Sequence, residues 1–220
     1  MGVAPFLGLA LFCLSAISLA AYVSLTRVYS FVHVHNNSMF PQILSGDTVL
    51  VDRRVPDDQL QRVGQLIAYD SSSDGAVIAR VIASQNSARS VEIQGINISF
   101  DGQPLVLKPV EVDVPYLQDG ARQRIRSSQF FLEHLPRQAS TEGWLISQPL
   151  NSVQPPLKFS GRLGTNALLV LPDVRYPEYD QMIRSAEIID RARVIGIPVM
   201  IVSSTHDHAH SYSRRGLTLH

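Results

Sequence analysis

Residues 38–51 read SMFPQILSGDTVLV, and this stretch joins a serine to a turn and then to an apolar strand. Pro41, Gly46 and Asp47 are residue types that favour a turn, whereas 48–51 has the composition of a strand. Ser38 lies just before the turn, where its hydroxyl would be accessible to a substrate. Because a serine hydroxyl is a poor nucleophile until a base removes its proton, the stretch predicts a nucleophile whose base lies elsewhere in the chain.

Short apolar runs separated by Gly, Pro, Asp and Ser continue through the rest of the chain. Their lengths and compositions are those of strands, and 91–103 also contains an Asp-Gly pair typical of hairpins. A helical amphipathic period after the N-terminus is found only over 181–191. The sequence therefore predicts a mainly β domain with an antiparallel sheet. The predicted strands are 31–34, 48–51, 66–69, 76–82, 91–98, 105–110, 167–171 and 194–202.

The composition is that of a folded protein without a strong net charge. Of its 220 residues, 45% are hydrophobic and 17% are charged, which suits one medium-sized domain with a core. The 19 basic residues balance the 19 acidic residues, so no net field favours nucleic acid, and we expect no nucleic-acid partner. Cys13 is the single cysteine, which excludes an intrachain disulfide.

The N-terminal segment contains no charged side chain from Gly2 to Thr26. A helix over 3–25 would be about 34 Å long, close to the roughly 30 Å hydrocarbon thickness of a bilayer. We therefore expect a transmembrane anchor at 1–26. The alternative is a cleavable signal peptide, because Ser18-Leu19-Ala20 has the small-x-small pattern of a cleavage site.

The rest of the chain, 27–220, is predicted to be one β domain. Within it, about 111–164 is rich in Pro, Gln, Ser and Arg and is expected to be a variable excursion without chemistry. About 204–220 is expected to be a polar tail. This tail contains three alternating histidines whose spacing could bind zinc or nickel. Their Ser and Arg neighbours favour a solvated segment, so we predict a solvated tail, no metal and no cofactor; the histidines are His206, His208 and His210.

The 38–51 stretch resembles the first signature of the type I signal peptidases, in which Ser-Met-x-Pro is followed by Gly-Asp and an apolar run. These are membrane-anchored serine endopeptidases that remove leader peptides from exported proteins. The resemblance implies that Ser38 is the nucleophile and that leader peptides are the partners. It also implies a single-pass protein of the cytoplasmic membrane with an extracytoplasmic domain, although the positive-inside tendency of Arg27 favours the opposite orientation.

A second motif, VIARVI at 77–82, resembles the strand that carries the general base of this family. In the family, a buried lysine is followed by arginine and two apolar residues. Arg80 and its apolar neighbours fit this pattern, whereas Ala79 occupies the position of the lysine. The resemblance therefore implies a Ser/Lys dyad that lacks its lysine, and arginine cannot replace it because it stays protonated.

A third motif, PDVRYPEYDQM at 172–182, resembles the family's C-terminal signature. Asp173, Arg175 and Asp180 match it, and the resemblance implies that they support the site together with Arg80. Glu178 replaces the serine that orients the lysine. Because burial can raise the pKa of a carboxyl group and make it a base, Glu178 is a hypothetical substitute base; the alternative is that it only pairs with a nearby arginine.

The resemblance also implies how a substrate would be held. The backbone N–H of Ser38 and the side-chain amide of Asn36 would bind the developing oxyanion. His33 and His35 are close in sequence and are alternative proton relays. Four apolar residues match positions that line the shallow pockets for small residues of a leader; the alternative is that they are simply core residues. They are Val34, Met39, Ile43 and Ile78.

Two function hypotheses follow. The first is a membrane-anchored signal-peptidase-like serine endopeptidase with a divergent and impaired site. The second is a non-catalytic homologue that binds leader-like or pilin-like segments as a secretion or assembly chaperone or scaffold. Cleavage of an Ala-x-Ala precursor distinguishes them.

Overall fold

The computed structural model describes residues 4–54, 56–72, 75–88, 90–111, 128–135, 143–149, 158–175, 186–205 and 218–219. Within these residues, a long N-terminal helix precedes a domain made mainly of strands. The helices are α1 (Ala4–Val28) and the short α2 (Asp57–Leu60). The strands are β1 (Tyr29–His33), β2 (Asp47–Asp52), β3 (Leu66–Ser71), β4 (Gly75–Ser84), β5 (Val91–Gln94), β6 (Asn97–Phe100), β7 (Gln103–Pro104), β8 (Val106–Val110), β9 (Ser128–His134), β10 (Trp144–Pro149), β11 (Lys158–Gly161), β12 (Ala167–Leu171), β13 (Glu187–Asp190) and β14 (Val194–Ser204).

The main sheet has seven antiparallel strands in the order β1-β2-β14-β3-β4-β12-β13. This sheet curls, because β1 contacts β4 although three strands lie between them in the sheet order. Two smaller antiparallel sheets have the orders β10-β9-β8 and β11-β5-β6-β7. The prediction of a mainly β, antiparallel domain is confirmed.

The strands form because their apolar residues alternate and bury one face. In β2, Asp47, Val49 and Val51 face inward while the intervening residues are partly exposed. Val49 and Val51 are fully buried in a cluster that also contains Val32 and Ile201 of the neighbouring strands. Burying one such side chain contributes about 1.5–3 kcal/mol, so the inner face of β2 anchors this part of the core.

The turn before β2 uses the residues that the sequence singles out. Gly46 has φ +92°, a conformation that suits glycine. The Asp47 carboxylate accepts a hydrogen bond from the Leu44 N–H at 2.8 Å, and the Asn37 side chain accepts one from the Ser45 N–H at 2.9 Å. These bonds fix the backbone that follows Ser38.

Helix α1 covers the segment for which a helix was predicted. In the part of the chain that the structure describes, no helix has both the length and the hydropathy needed to cross a bilayer. The anchor at 1–26 stays a prediction.

Some boundaries differ from the predicted ones. The predicted strand 91–98 is two strands, β5 and β6, because the chain turns at Gly95, which has φ +67°. The amphipathic period over 181–191 does not correspond to a helix at Glu187–Asp190, where β13 pairs with β12, and 181–185 lies outside the described residues. The 111–164 segment contributes β9, β10 and β11, although none of the predicted strands lies in it.

Candidate functional site

Ser38 lies in the connection between β1 and β2, directly before the turn that starts β2. Ser38 is buried, with only 6% of its surface exposed to solvent. Its hydroxyl makes no hydrogen bond with any residue that the structure describes. The side chain is therefore held in place by the fold while its hydroxyl stays available to a ligand.

Ser38 lies where two clefts meet. One cleft encloses about 280 Å³ of empty space, part of it open to solvent, and extends along Ala79 to Pro172. The other encloses about 370 Å³ and extends along His33 and His35. Both clefts are lined by the same four residues, so we treat them as one Ser38 groove; the shared residues are Asn36, Ser38, Val77 and Ile78.

The groove brings Ser38 and Ala79 together, as the second sequence motif implies. Both residues line the same cleft, and Ala79 is 5% exposed in β4. Its methyl group packs in a cluster with Ile67 and Tyr69 of β3. Ala79 and Ser38 therefore border the same space.

Strand β4 has an open edge along the groove. Strand β12 pairs with β4 only from Arg80 to Ser84, and its last residue, Leu171, is followed by Pro172, which has no N–H. Among the described strands, residues 75–79 therefore have a partner on the β3 side alone. Their other edge offers backbone donors and acceptors to an extended peptide.

Asn36 approaches Ser38, but in a different way from the one expected. Its side-chain oxygen accepts a hydrogen bond from the Ser38 N–H at 3.0 Å. Of the two expected oxyanion donors, the Ser38 N–H is thus engaged by Asn36 in this structure.

The four predicted pocket residues all belong to one buried cluster. Val34, Met39 and Ile78 also line the groove. Ile43, by contrast, is fully buried and is not among the lining residues. Three of these residues can therefore contact a ligand, and Ile43 has a core role.

Three titratable side chains line the groove among the described residues: His33, His35 and Tyr69. The rings of His33 and His35 meet edge to face at 4.9 Å, and His33 Nδ1 lies 3.1 Å from the Thr48 hydroxyl. The buried Tyr69 hydroxyl donates to the Glu187 carboxylate at 2.9 Å. The proposed base Glu178 and the support residue Asp180 lie outside the described residues.

Arg80 and Asp173 form a buried ion pair beside the groove. Arg80 Nε donates to Asp173 Oδ1 at 2.7 Å, and Nη2 donates to Oδ2 at 2.6 Å. Arg80 also donates to the Gly64 carbonyl at 2.6 Å and to the Gln42 side chain at 3.1 Å. This guanidinium therefore connects β4 with the 38–46 connection and with the end of β12.

A second buried pair is formed by Arg175 and Glu133. Arg175 Nη2 donates to Glu133 Oε2, which also accepts from Trp144 Nε1 at 2.7 Å. Burial raises the pKa of Glu133 above its ordinary value, although Arg175 and the Trp144 hydrogen bond oppose this rise. The Cζ atom of Arg80 lies 6.0 Å from the centroid of the Trp144 ring, which places the two buried pairs next to each other.

Sequence reasoning gave no role to Glu133, Trp144 or Ser147, which all come from the 111–164 segment. The sequence carries a signal for two of them: Glu133 is an acidic residue inside the largely apolar run FFLEHL, and Trp144 is the only tryptophan. The three predicted support residues that the structure describes, Arg80, Asp173 and Arg175, are all buried.

The sequence analysis considered a metal site only at His206, His208 and His210, and these residues lie outside the described residues. Within the described part, no group of three or more His, Cys, Asp or Glu side chains could hold a metal ion. No protein-family model matches the chain, and no curated protein matches it either.

Proposed function

We propose that the protein is a type I signal-peptidase-like serine endopeptidase acting on leader peptides of exported proteins. In this proposal the N-terminal segment 1–26 anchors the protein in the cytoplasmic membrane as a single-pass protein, with the β domain on the extracytoplasmic side; the anchor rests on the charge-free sequence from Gly2 to Thr26. The observation that carries this proposal is the position of Ser38 in a groove that it shares with Ala79 and the open edge of β4.

The groove suits an extended peptide with small apolar side chains. The backbone groups of residues 75–79 that no described strand pairs with can bind such a peptide as an added strand. Val34, Met39 and Ile78 line the groove and favour apolar contacts. The cleft beside Ala79 is also lined by Leu171 and Pro172, and small apolar side chains suit a space of about 280 Å³ that is partly open to solvent.

In this function, the Ser38 hydroxyl oxygen attacks the scissile carbonyl carbon and a base takes its proton. The Ser38 N–H then stabilises the oxyanion once Asn36 has released it. Collapse of this intermediate breaks the scissile C–N bond while the protonated base gives its proton to the leaving amine, and water then hydrolyses the acyl ester on Ser38. Glu178 stays the hypothetical base, and Glu178→Gln tests it, since unchanged cleavage excludes that role. Removing a positioned base costs several orders of magnitude in rate, so we expect slow turnover with Ala79 in place.

The second candidate is a non-catalytic protein that binds leader-like or pilin-like segments as a chaperone or scaffold. Two observations favour it. The Ser38 hydroxyl has no hydrogen-bond partner among the described residues, and the Ser38 N–H is engaged by Asn36. A groove of this kind binds an extended segment without needing either group.

The deciding experiment incubates the full chain in detergent with a precursor that carries an Ala-x-Ala site. Cleavage by the wild type that is lost in Ser38→Ala, but kept in Ser160→Ala on the exposed face of β11, supports the peptidase. Precursor binding without cleavage supports the scaffold. Cleavage that survives Ser38→Ala, or the absence of both binding and cleavage, refutes the proposal.

A further inference from the structure

We infer that Glu133 is a positioning residue for Ser38, acting through Arg175 and the segment 172–175, which we call the strap. This inference deepens the proposed function and rests on it, because it concerns how the reacting serine is held. Glu133 lies in β9, in a part of the chain to which the sequence assigned no chemistry.

Glu133 and Arg175 are an unusual pair to bury. The side chains of both are fully inaccessible to solvent. Glu133 Oε1 and Arg175 Nε are buried without hydrogen-bond partners in the described structure. Removing two charges from water costs several kcal/mol per ion, and apolar residues of similar volume are often as stable or more stable. An ion pair differs from an apolar pair because the carboxylate fixes the direction of the guanidinium.

Arg175 contacts the strap through its side chain and pairs it with β10 through its backbone. Its Nη1 donates to the Pro172 carbonyl at 3.1 Å, which closes the strap on itself. Its backbone N–H donates to the Ser147 carbonyl at 2.9 Å, and the Ser147 N–H donates to the Asp173 carbonyl at 2.9 Å. The strap is therefore paired with β10 on one side.

The other side of the strap holds Ser38. The Val174 N–H donates to the Ser38 carbonyl at 3.0 Å. The Ser147 hydroxyl donates to the Phe40 carbonyl at 3.4 Å, two residues further along the same connection. Pro172, at the start of the strap, lines the groove. A continuous set of contacts thus runs from Glu133 to the backbone of Ser38.

The test compares the wild type with Glu133→Gln, which keeps the shape of the side chain and removes its charge. The first readout is hydrogen exchange of the Val174 N–H, with Val49 in the centre of β2 as the internal reference. We expect Val174 exchange to accelerate at least about tenfold while Val49 is unchanged. Glu92→Gln, the same substitution at an exposed position of β5, is the matched control and should change neither rate.

The second readout is precursor cleavage. A small displacement of a reacting group costs up to about 10²-fold, so we expect kcat to fall about tenfold or more. We expect a smaller change in KM, within about twofold, because most of the residues that line the groove lie outside the strap. Arg175→Lys, which keeps the charge but loses the planar fork, should act in the same direction and serves if Glu133→Gln does not fold.

The outcomes separate the two proposals. If the wild type neither binds nor cleaves the precursor, the proposed function fails, and Val174 exchange still decides whether Glu133 holds the strap. Unchanged Val174 exchange in a folded Glu133→Gln protein overturns the inference. Equal acceleration at Val174 and Val49 also overturns it, because this would indicate a general loss of stability.

Discussion

Arg80 and Asp173 face each other through two parallel hydrogen bonds of 2.7 and 2.6 Å, and each side chain is 1% exposed. Arg80 directly follows Ala79 in β4, and Asp173 belongs to the strap that holds Ser38. This pair therefore fixes the two walls of the groove relative to each other. A guanidinium and a carboxylate matched in this way give orientation as well as energy.

Removing one charge of this pair should strongly destabilise the fold. In Asp173→Asn, the buried Arg80 guanidinium loses its counter-charge, and we expect the free energy of unfolding to fall by about 3–5 kcal/mol. Urea denaturation measures this change. Asp58→Asn is the control, because Asp58 and Arg62 form an exposed pair at 3.8 Å. Equal effects of the two substitutions would contradict the structural role of the Arg80–Asp173 pair.

If the protein has the proposed peptidase function, an amine at position 79 should accept the proton of the Ser38 hydroxyl. Ala79→Lys places an amine in the cleft that Ser38 also lines, and a positioned base contributes roughly 10²–10⁴-fold to a rate. We expect precursor cleavage to accelerate within that range in a single-turnover assay. Ala79→Met adds a chain of similar length without the amine. If the methionine variant were as active as the lysine variant, the groove geometry assigned to position 79 would be wrong.

A methyl group at Gly46 should disturb the turn after Ser38. Gly46 has φ +92°, and an added Cβ would collide with the Thr205 hydroxyl. We expect Gly46→Ala to lower the free energy of unfolding by at least about 1–3 kcal/mol, the range for strained backbone. Gly164→Ala is the matched control, since a Cβ there meets no atom within 4 Å. Thermal melting of both variants checks the difference, and equal melting temperatures would contradict the turn geometry.

The Asp52–Arg54 pair gives a pH-dependent prediction. The side-chain hydrogen bond from Arg54 lowers the pKa of Asp52 below its ordinary value of 3.8, against an opposing effect of burial. Because the folded-state pKa is the lower one, this stabilisation is present above pH 3.8 and is lost as the pH falls through the folded-state pKa. Asp52→Asn should therefore reduce stability slightly at neutral pH and not at all in strong acid. A constant difference between wild type and variant at every pH would show that the charge is not involved.

Local sequence was sufficient for the features that depend on neighbouring residues. The turn at Gly46 and Asp47 and the alternation in β2 follow from residue types that act within a few positions, and the proximity of Ser38 to Ala79 agrees with the motif resemblance. The contact from Glu133 to Arg175 joins residues 42 positions apart, and no short-range pattern encodes such a pairing. The bond between Asn36 Oδ1 and the Ser38 N–H depends on one side-chain rotamer, which a motif does not specify.

Strand β4 gives one half of its outer edge to β12 and leaves the other half unpaired by any described strand. In the proposed function, the peptide and β12 therefore use different stretches of one strand edge. Val81 and Ile82 are fully buried and serve the core, whereas Val77 is partly buried and lines the groove, so a substitution at Val77 would alter the choice of peptide at less cost to the fold. A lineage with this arrangement would diversify the peptides it accepts while it keeps its architecture.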